Sequence, residues 1–203
     1  MESLLFIGYE AVATLLPFCL ALLMLGKRHR QEVPAYPVLL GVFALYLVGV
    51  FYFTGAGTLY DLLLYGLDVR SSQINLIPFS HTIDQTAYLL NVLLFVPLGI
   101  LVPLIWDRLC RALPMLGVSF GFSLLIELSQ LLNNRSTDVD DLILNTLGGL
   151  VGFGLFRLWD RCTGGRFRLR GIPLGELPLY LFAAFFGRFF LYNEFGLAGL
   201  LYF

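Results

Sequence analysis

Six stretches of predominantly apolar residues run along the 203-residue chain, at 3–25, 37–57, 88–105, 112–132, 141–159 and 177–200. A bilayer core about 30 Å thick is crossed by about 20 apolar residues of helix. Within hydrocarbon, a helix is one of the few structures that satisfies its own backbone polar groups. The pattern therefore predicts an all-α, polytopic transmembrane bundle of about six spans, forming a single membrane domain over 1–203. Composition agrees: 58% of residues are hydrophobic and 13% are charged, against about 25% charged in soluble domains. The last stretch is the weakest, because Arg188 interrupts it and Asn193-Glu194 is placed to end it early. A short helix followed by an interfacial tail is the other reading of that segment.

The connections differ sharply in charge. Lys27, Arg28 and Arg30 lie in loop 26–36, Arg108 and Arg111 in loop 106–111, and Arg157, Arg161, Arg166, Arg168 and Arg170 in loop 157–176. These are ten of the thirteen basic residues. By the positive-inside rule the three basic loops are expected in the cytoplasm, which places both termini and loops 58–87 and 133–140 outside. The first apolar run follows Met1-Glu2-Ser3 without a basic n-region, so it is expected to be a retained span and not a cleaved signal. Cys19, Cys110 and Cys162 have no metal-ligand spacing and no even pairing, and read as packing residues. The basic stretch 157–170 reads as a contact with anionic inner-leaflet lipids. No nucleic-acid partner is expected.

The polar residues inside the spans fall in one layer. Asn91 lies about one turn into the third span, Glu127 and Gln130 share a face near the end of the fourth, and Asn145 sits one turn into the fifth. Asn134, Arg135, Asp138, Asp140 and Asp141 occupy the connection between the fourth and fifth spans. Asp141 and Asn145 are i, i+4 neighbours. At 1.5 Å per residue, Asn91, Glu127 and Asn145 all fall within about 10 Å of the same boundary, and Glu10 reaches somewhat deeper from that side. A charge in hydrocarbon costs roughly 2.5–3.5 kcal/mol, so such groups face the bundle interior or water. Glu127 alone is as readily a hydrogen-bonded structural residue as a functional one; its convergence with six other polar positions favours a site. Asp138 and Asp140 have a second account as N-terminal caps, whereas Asp141 shares the face of Asn145.

Gly148, Gly149 and Gly152 continue the fifth span from Asn145, and Gly148 and Gly152 make a small-xxx-small seam suited to close helix packing. Loop 58–87 is long enough to carry structure of its own. In its segment Asn75–His81, Pro78 disfavours helix at Ile77, which predicts an extended or re-entrant piece. His81 is an acid/base or ligand candidate with a solvated loop histidine as its bland alternative; Arg70 is a phosphate contact or a solvated side chain. Arg188 has three readings: snorkelling, pairing with Glu10, or binding an anionic headgroup.

Four segments taken in order carry a family resemblance: Asn75-Leu-Ile-Pro-Phe79, Asn91-Val-Leu-Leu-Phe-Val-Pro-Leu-Gly99, Ile126-Glu-Leu-Ser-Gln130, and Arg135-Ser-Thr-Asp-Val-Asp-Asp-Leu-Ile-Leu-Asn-Thr-Leu-Gly-Gly149. Together, over about 70–155, they resemble the ordered motifs of the VanZ-like family. That family is named for a membrane protein associated with low-level resistance to the glycopeptide teicoplanin. By remote similarity, VanZ-like domains are also grouped with membrane proteins that act on lipid headgroups, including phosphatidylserine synthases. The resemblance implies a site for a phosphate-bearing lipid, with Glu127, Arg135, Asp141, Asn145 and Asn91 as the matching polar positions.

Two functions of different class follow as expectations. In the first, a lipid-headgroup hydrolase or transferase of the cell envelope uses Glu127, Asp141, Asp138 and Arg135 catalytically. Glu127 or Asp141 is the general base, Arg135 neutralises phosphate, and Asn91, Gln130, Asn145, Asn75 and His81 contact the substrate. A hard cation such as Mg²⁺ or Ca²⁺ on Asp138 and Asp141 would suit the oxygen ligands. In the second, the same cavity holds a lipid, a cell-wall precursor or a glycopeptide without chemistry and limits drug access to its target. A transporter is a third class, but no paired broken helices or inverted repeats accompany the spans.

Overall fold

The computed structural model describes residues 2–25, 33–66, 73–80, 84–133 and 135–202, with side chains described from Leu4 to Gly199 within these ranges. Among the described residues, five helices are long and apolar enough to cross a membrane: α1 (Glu2–Leu25), α2 (Ala35–Thr54), α4 (Gln85–Ile105), α5 (Ala112–Gln130) and α6 (Val139–Cys162). A short helix, α3 (Leu59–Tyr65), follows α2. Leucines and aromatics such as Leu20, Leu45, Leu89, Leu128 and Leu158 are exposed along the helix flanks. A shell of apolar side chains around an apolar core is a lipid-facing surface, and the chain is a multi-pass membrane protein.

The segment expected as a sixth span is helical but broken. It comprises α7 (Glu176–Phe186), a π-helical turn over Gly187–Leu191, and α8 (Glu194–Tyr202). Its first two pieces still run from one end of the bundle to the other. At the start, Tyr36 at the head of α2 donates to Glu176 Oε2 (2.5 Å) and lies 3.0 Å from the Tyr180 hydroxyl. At the far end, Arg188 Nε lies 3.2 Å from Glu10 Oε1 near the beginning of α1. Gly187 marks the irregular turn for a steric reason. Pro17 has no N–H to give the Ala13 carbonyl, and a Cβ on Gly187 would stand 2.2 Å from that oxygen.

Aromatic rings fill the end nearer the basic loops, where Phe43 packs edge-on against Trp106 at 5.6 Å and Phe18 lies 4.9 Å from Tyr180. This cluster joins α1, α2 and α7 to the end of α4. The most extensive helix pair is α4 with α6. A Cβ on Gly99 would lie 2.0 Å from the Gly149 carbonyl oxygen, one on Gly148 2.1 Å from that of Val92, and one on Gly152 2.0 Å from that of Val96. Backbone therefore meets backbone, as the Gly148–Gly152 spacing predicted. Gly149 faces the other neighbour, α5, with its missing Cβ 2.0 Å from Ser119 Oγ.

At the opposite end two short strands, β1 (Ile74–Asn75) and β2 (Thr137–Asp138), pair in parallel, Ile74 with Thr137 and Asn75 with Asp138. They bring the long loop after α3 onto the connection between α5 and α6; beyond Asn75 the chain bends at Ile77 and turns at Pro78-Phe79.

The seam predicts a contrast within one helix. Gly152→Ala places a methyl against backbone that has no rotamer to yield, and should lower stability by about 1–3 kcal/mol. Gly154→Ala meets nothing within 4 Å and should be neutral or slightly stabilising. Thermal unfolding of the two variants in detergent measures the difference.

Candidate functional site

At the end of the bundle remote from the basic loops, a cavity of about 500 Å³ opens between α2, α4, α5 and α6. Six of the expected site residues line it: Asn91, Glu127, Gln130, Arg135, Asp141 and Asn145. Its remaining wall is Phe53, Thr54, Ala87, Leu90, Leu93 and Leu94. Phe53 (71% exposed), Leu90 and Leu93 form an apolar rim on the outer surface of the bundle.

Each polar group has an identifiable support. The α4–α6 seam sets Asn91 beside Asp141, and the Asn91 amide donates to Asp141 Oδ1. Asn145, 2% exposed, donates to Ser123 Oγ at 3.0 Å, and its own Oδ1 has no partner within the protein. Glu127, 3% exposed, accepts the Asp138 backbone N–H on Oε2 at 3.3 Å. Its backbone carbonyl accepts from the Thr137 hydroxyl at 3.0 Å. The β2 strand thus closes over the end of α5 and fixes Glu127.

The C-terminal end of α2 organises the other side. Gly55 terminates that helix in the left-handed region at φ 61°, a conformation open to glycine at little cost. The exposed carbonyls are met by side chains from the last residue of α5 and the α5–α6 connection. Gln130 donates to Thr54 O at 2.6 Å, Arg135 Nη1 to the same oxygen at 2.9 Å, and Asn133 to Gly55 O at 2.9 Å. A guanidinium at the negative end of a helix dipole is also favourably placed electrostatically. A Cβ on Gly55 would lie 2.1 Å from Arg135 Nη1, so this glycine also makes room for the arginine.

Two expected site residues, Asp138 and Asn75, stand apart from the cavity. Asp138 caps α6, accepting from the Asp140 N–H at 3.0 Å, and accepts the Asn75 amide at 3.2 Å on both oxygens. Asn75 Oδ1 in turn accepts from Ile77 N–H and the Ser80 hydroxyl. These two residues brace the lid of the site and do not line it. His81 lies outside the described residues, as do Arg70 and Asn134. With Asp138 occupied in this way, the Asp138–Asp141 pair is not a ready Mg²⁺ or Ca²⁺ site. Among the described residues no three His, Cys, Asp or Glu side chains are grouped to hold a metal. Glu10, expected in the same layer, is paired with Arg188 in a neighbouring cluster.

Asp140, weighed in the sequence as a possible cap, has a different part, and two serines were missed altogether. Asp140, 2% exposed, accepts the Phe79 N–H at 2.8 Å and the Tyr88 hydroxyl at 2.5 Å. It holds Phe79 at φ 56°, an uncommon conformation for a residue with a side chain. On α5, Ser119 and Ser123 precede Glu127 at four-residue steps, a polar stripe that was legible but easily passed over between apolar neighbours. Asp140→Ala should release the segment over Asn75–Ser80 and cost about 1–3 kcal/mol. Hydrogen exchange should rise in peptides over 73–80 and stay unchanged across Phe95–Ile105.

Residues 42–160 match the VanZ/LLP1 family, a range that contains all six polar residues of the cavity wall. The chain is 32% identical over 123 residues to Protein VanZ of Enterococcus faecium, covering 60% of this chain and 74% of that protein. No solved structure matches. The matched range holds α4 and α5 entire, most of α2 and α6, the seam between α4 and α6 and the whole polar wall, and the chain belongs to the VanZ/LLP1 family.

Proposed function

We propose that this protein takes the headgroup of a phospholipid or a lipid-linked cell-wall precursor into the 500 Å³ cavity, from the outer leaflet, and hydrolyses or transfers it. The observation that carries this reading is the composition of the cavity wall. Two carboxylates, an arginine and three amides meet an apolar rim formed by Phe53, Leu90 and Leu93 on the bundle surface. A water-soluble ligand has no use for such a rim, whereas acyl chains can remain in the bilayer beside α2 and α4. The basic loops lie at the opposite end, which under the positive-inside rule supports an outward-facing site.

The chemistry asks little of the protein beyond positioning. Asp141, oriented by the Asn91 amide, takes the proton from water or an incoming alcohol as its oxygen bonds to phosphorus. The phosphorus–oxygen bond to the departing alkoxide breaks, and that oxygen takes the proton from Asp141, which returns to its carboxylate form. Arg135 offsets charge on the phosphoryl oxygens. The Asn145 and Gln130 oxygens, which have no partners within the protein, supply acceptors for the headgroup.

A second reading, retention without chemistry, is favoured by one feature. Both carboxylates are held by protein hydrogen bonds, and the described cavity wall contains no histidine, cysteine or serine. In that reading the cavity holds a lipid, a lipid-linked precursor or a glycopeptide such as teicoplanin and alters the drug's access to its target. Mass-spectrometric profiling of lipids and precursors in cells with matched amounts of native protein and Asp141→Asn separates the two. Catalysis predicts a species that changes with the native chain, with its formation about 100-fold or more slower in the variant. Identical profiles would sink the enzymatic reading and leave retention.

A further inference from the structure

A second, smaller cavity of about 180 Å³ adjoins the first and is lined by Gly55, Thr58, Asp61, Asn133, Arg135, Arg188, Tyr192 and Glu194. Arg135 borders both cavities. The small one lies at the end of the bundle and is strongly charged, with two guanidiniums and two carboxylates in its wall; Arg188 is buried, whereas Arg135 and Glu194 are exposed. Opposite charges so close would ordinarily form direct pairs. Here, neither Asp61 nor Glu194 forms an ion pair with Arg135 or Arg188. Asp61 instead accepts from the backbone N–H and hydroxyl of Thr58.

Arg188 is the most constrained of these groups. It is 6% exposed, its Nε faces Glu10 at 3.2 Å, and its guanidinium carbon sits 4.3 Å from the centre of the Tyr192 ring. Nη1 has no hydrogen-bond partner. A buried guanidinium with unused donors is costly unless a partner meets it. The volume corresponds to about six waters, or a molecule of similar bulk.

We propose that this cavity is a subsite for a small zwitterion, a molecule carrying an ammonium group and a carboxylate or phosphate. The acid group lies between Arg188 and Arg135, and the ammonium lies toward Asp61 and Glu194. Such a ligand meets both signs of charge in the wall at once, which neither a simple anion nor a simple amine does. The use of the subsite rests on the headgroup reading above, where it receives the polar end of the lipid or the incoming group. Its binding stands on the second cavity alone.

The test is calorimetric titration of the full chain in nanodiscs of phosphatidylglycerol, whose headgroup brings no ammonium to compete. The probes are O-phosphoethanolamine and glycine, with inorganic phosphate, acetate and methylammonium as half-ligands. At least one zwitterion should bind about tenfold or more tightly than any half-ligand. Glu194→Gln should weaken that binding about tenfold. Arg188→Gln should do the same when combined with Glu10→Gln, which removes both buried charges together and protects the fold. Zwitterions that bind no better than their halves, or binding that is unchanged in either variant, would overturn the proposal. Asp141→Asn should retain zwitterion binding, so loss of lipid turnover in that variant is read separately from the subsite.

Discussion

The close approach of α4 and α6 is the constraint on which the rest depends. Gly99, Gly148 and Gly152 let two backbones touch over about two turns, and this contact fixes both the spacing and the rotation of the helices. Rotation matters most at their shared end, where Asn91 and Asp141 sit about two turns beyond the glycines of their own helices and must face each other. In lipid there is no hydrophobic force to press helices together, so dispersion between close surfaces sets their geometry. The glycines are thus as much a part of the site as the carboxylates, although they never border the cavity.

The site's second support is an exchange between a helix end and a connection. The carbonyls at the C-terminus of α2 lack helical partners, and in a membrane protein such groups are costly to leave open. Gln130, Asn133 and Arg135 satisfy them, which draws the α5–α6 connection over α2 and leaves Arg135 between two cavities. One set of hydrogen bonds therefore terminates a helix, closes a wall and places a cation.

Much of this was legible in the chain because membrane helices obey simple rules. The apolar runs identify five long helices, with ends within a few residues of those observed. The rarity of polar residues in those runs makes Asn91, Glu127, Gln130, Asp141 and Asn145 conspicuous, and they do meet. The cost of a buried charge leaves few other places for them. The connections were harder to read. Asp138, Asp140 and Asp141 are alike by composition, yet one caps a helix, one ties down Phe79 and Tyr88, and one lines the cavity. Their division of labour depends on a strand pairing between residues more than sixty positions apart, and two-residue strands leave no periodicity to detect. The segment from 177 showed its interruption at Arg188, but the π turn there arises from Gly187 meeting α1, a tertiary contact.

The passage from Glu176 to Leu191 has a consequence for the bilayer itself. Its sixteen helical residues rise about 24 Å, several ångströms less than the usual thickness of hydrocarbon, and end on a buried arginine. Hydrophobic mismatch of this kind is relieved by local thinning. Thinning beside α7 would bring headgroups and water on that flank down toward Arg188, at the end of the passage where the charged cavity lies.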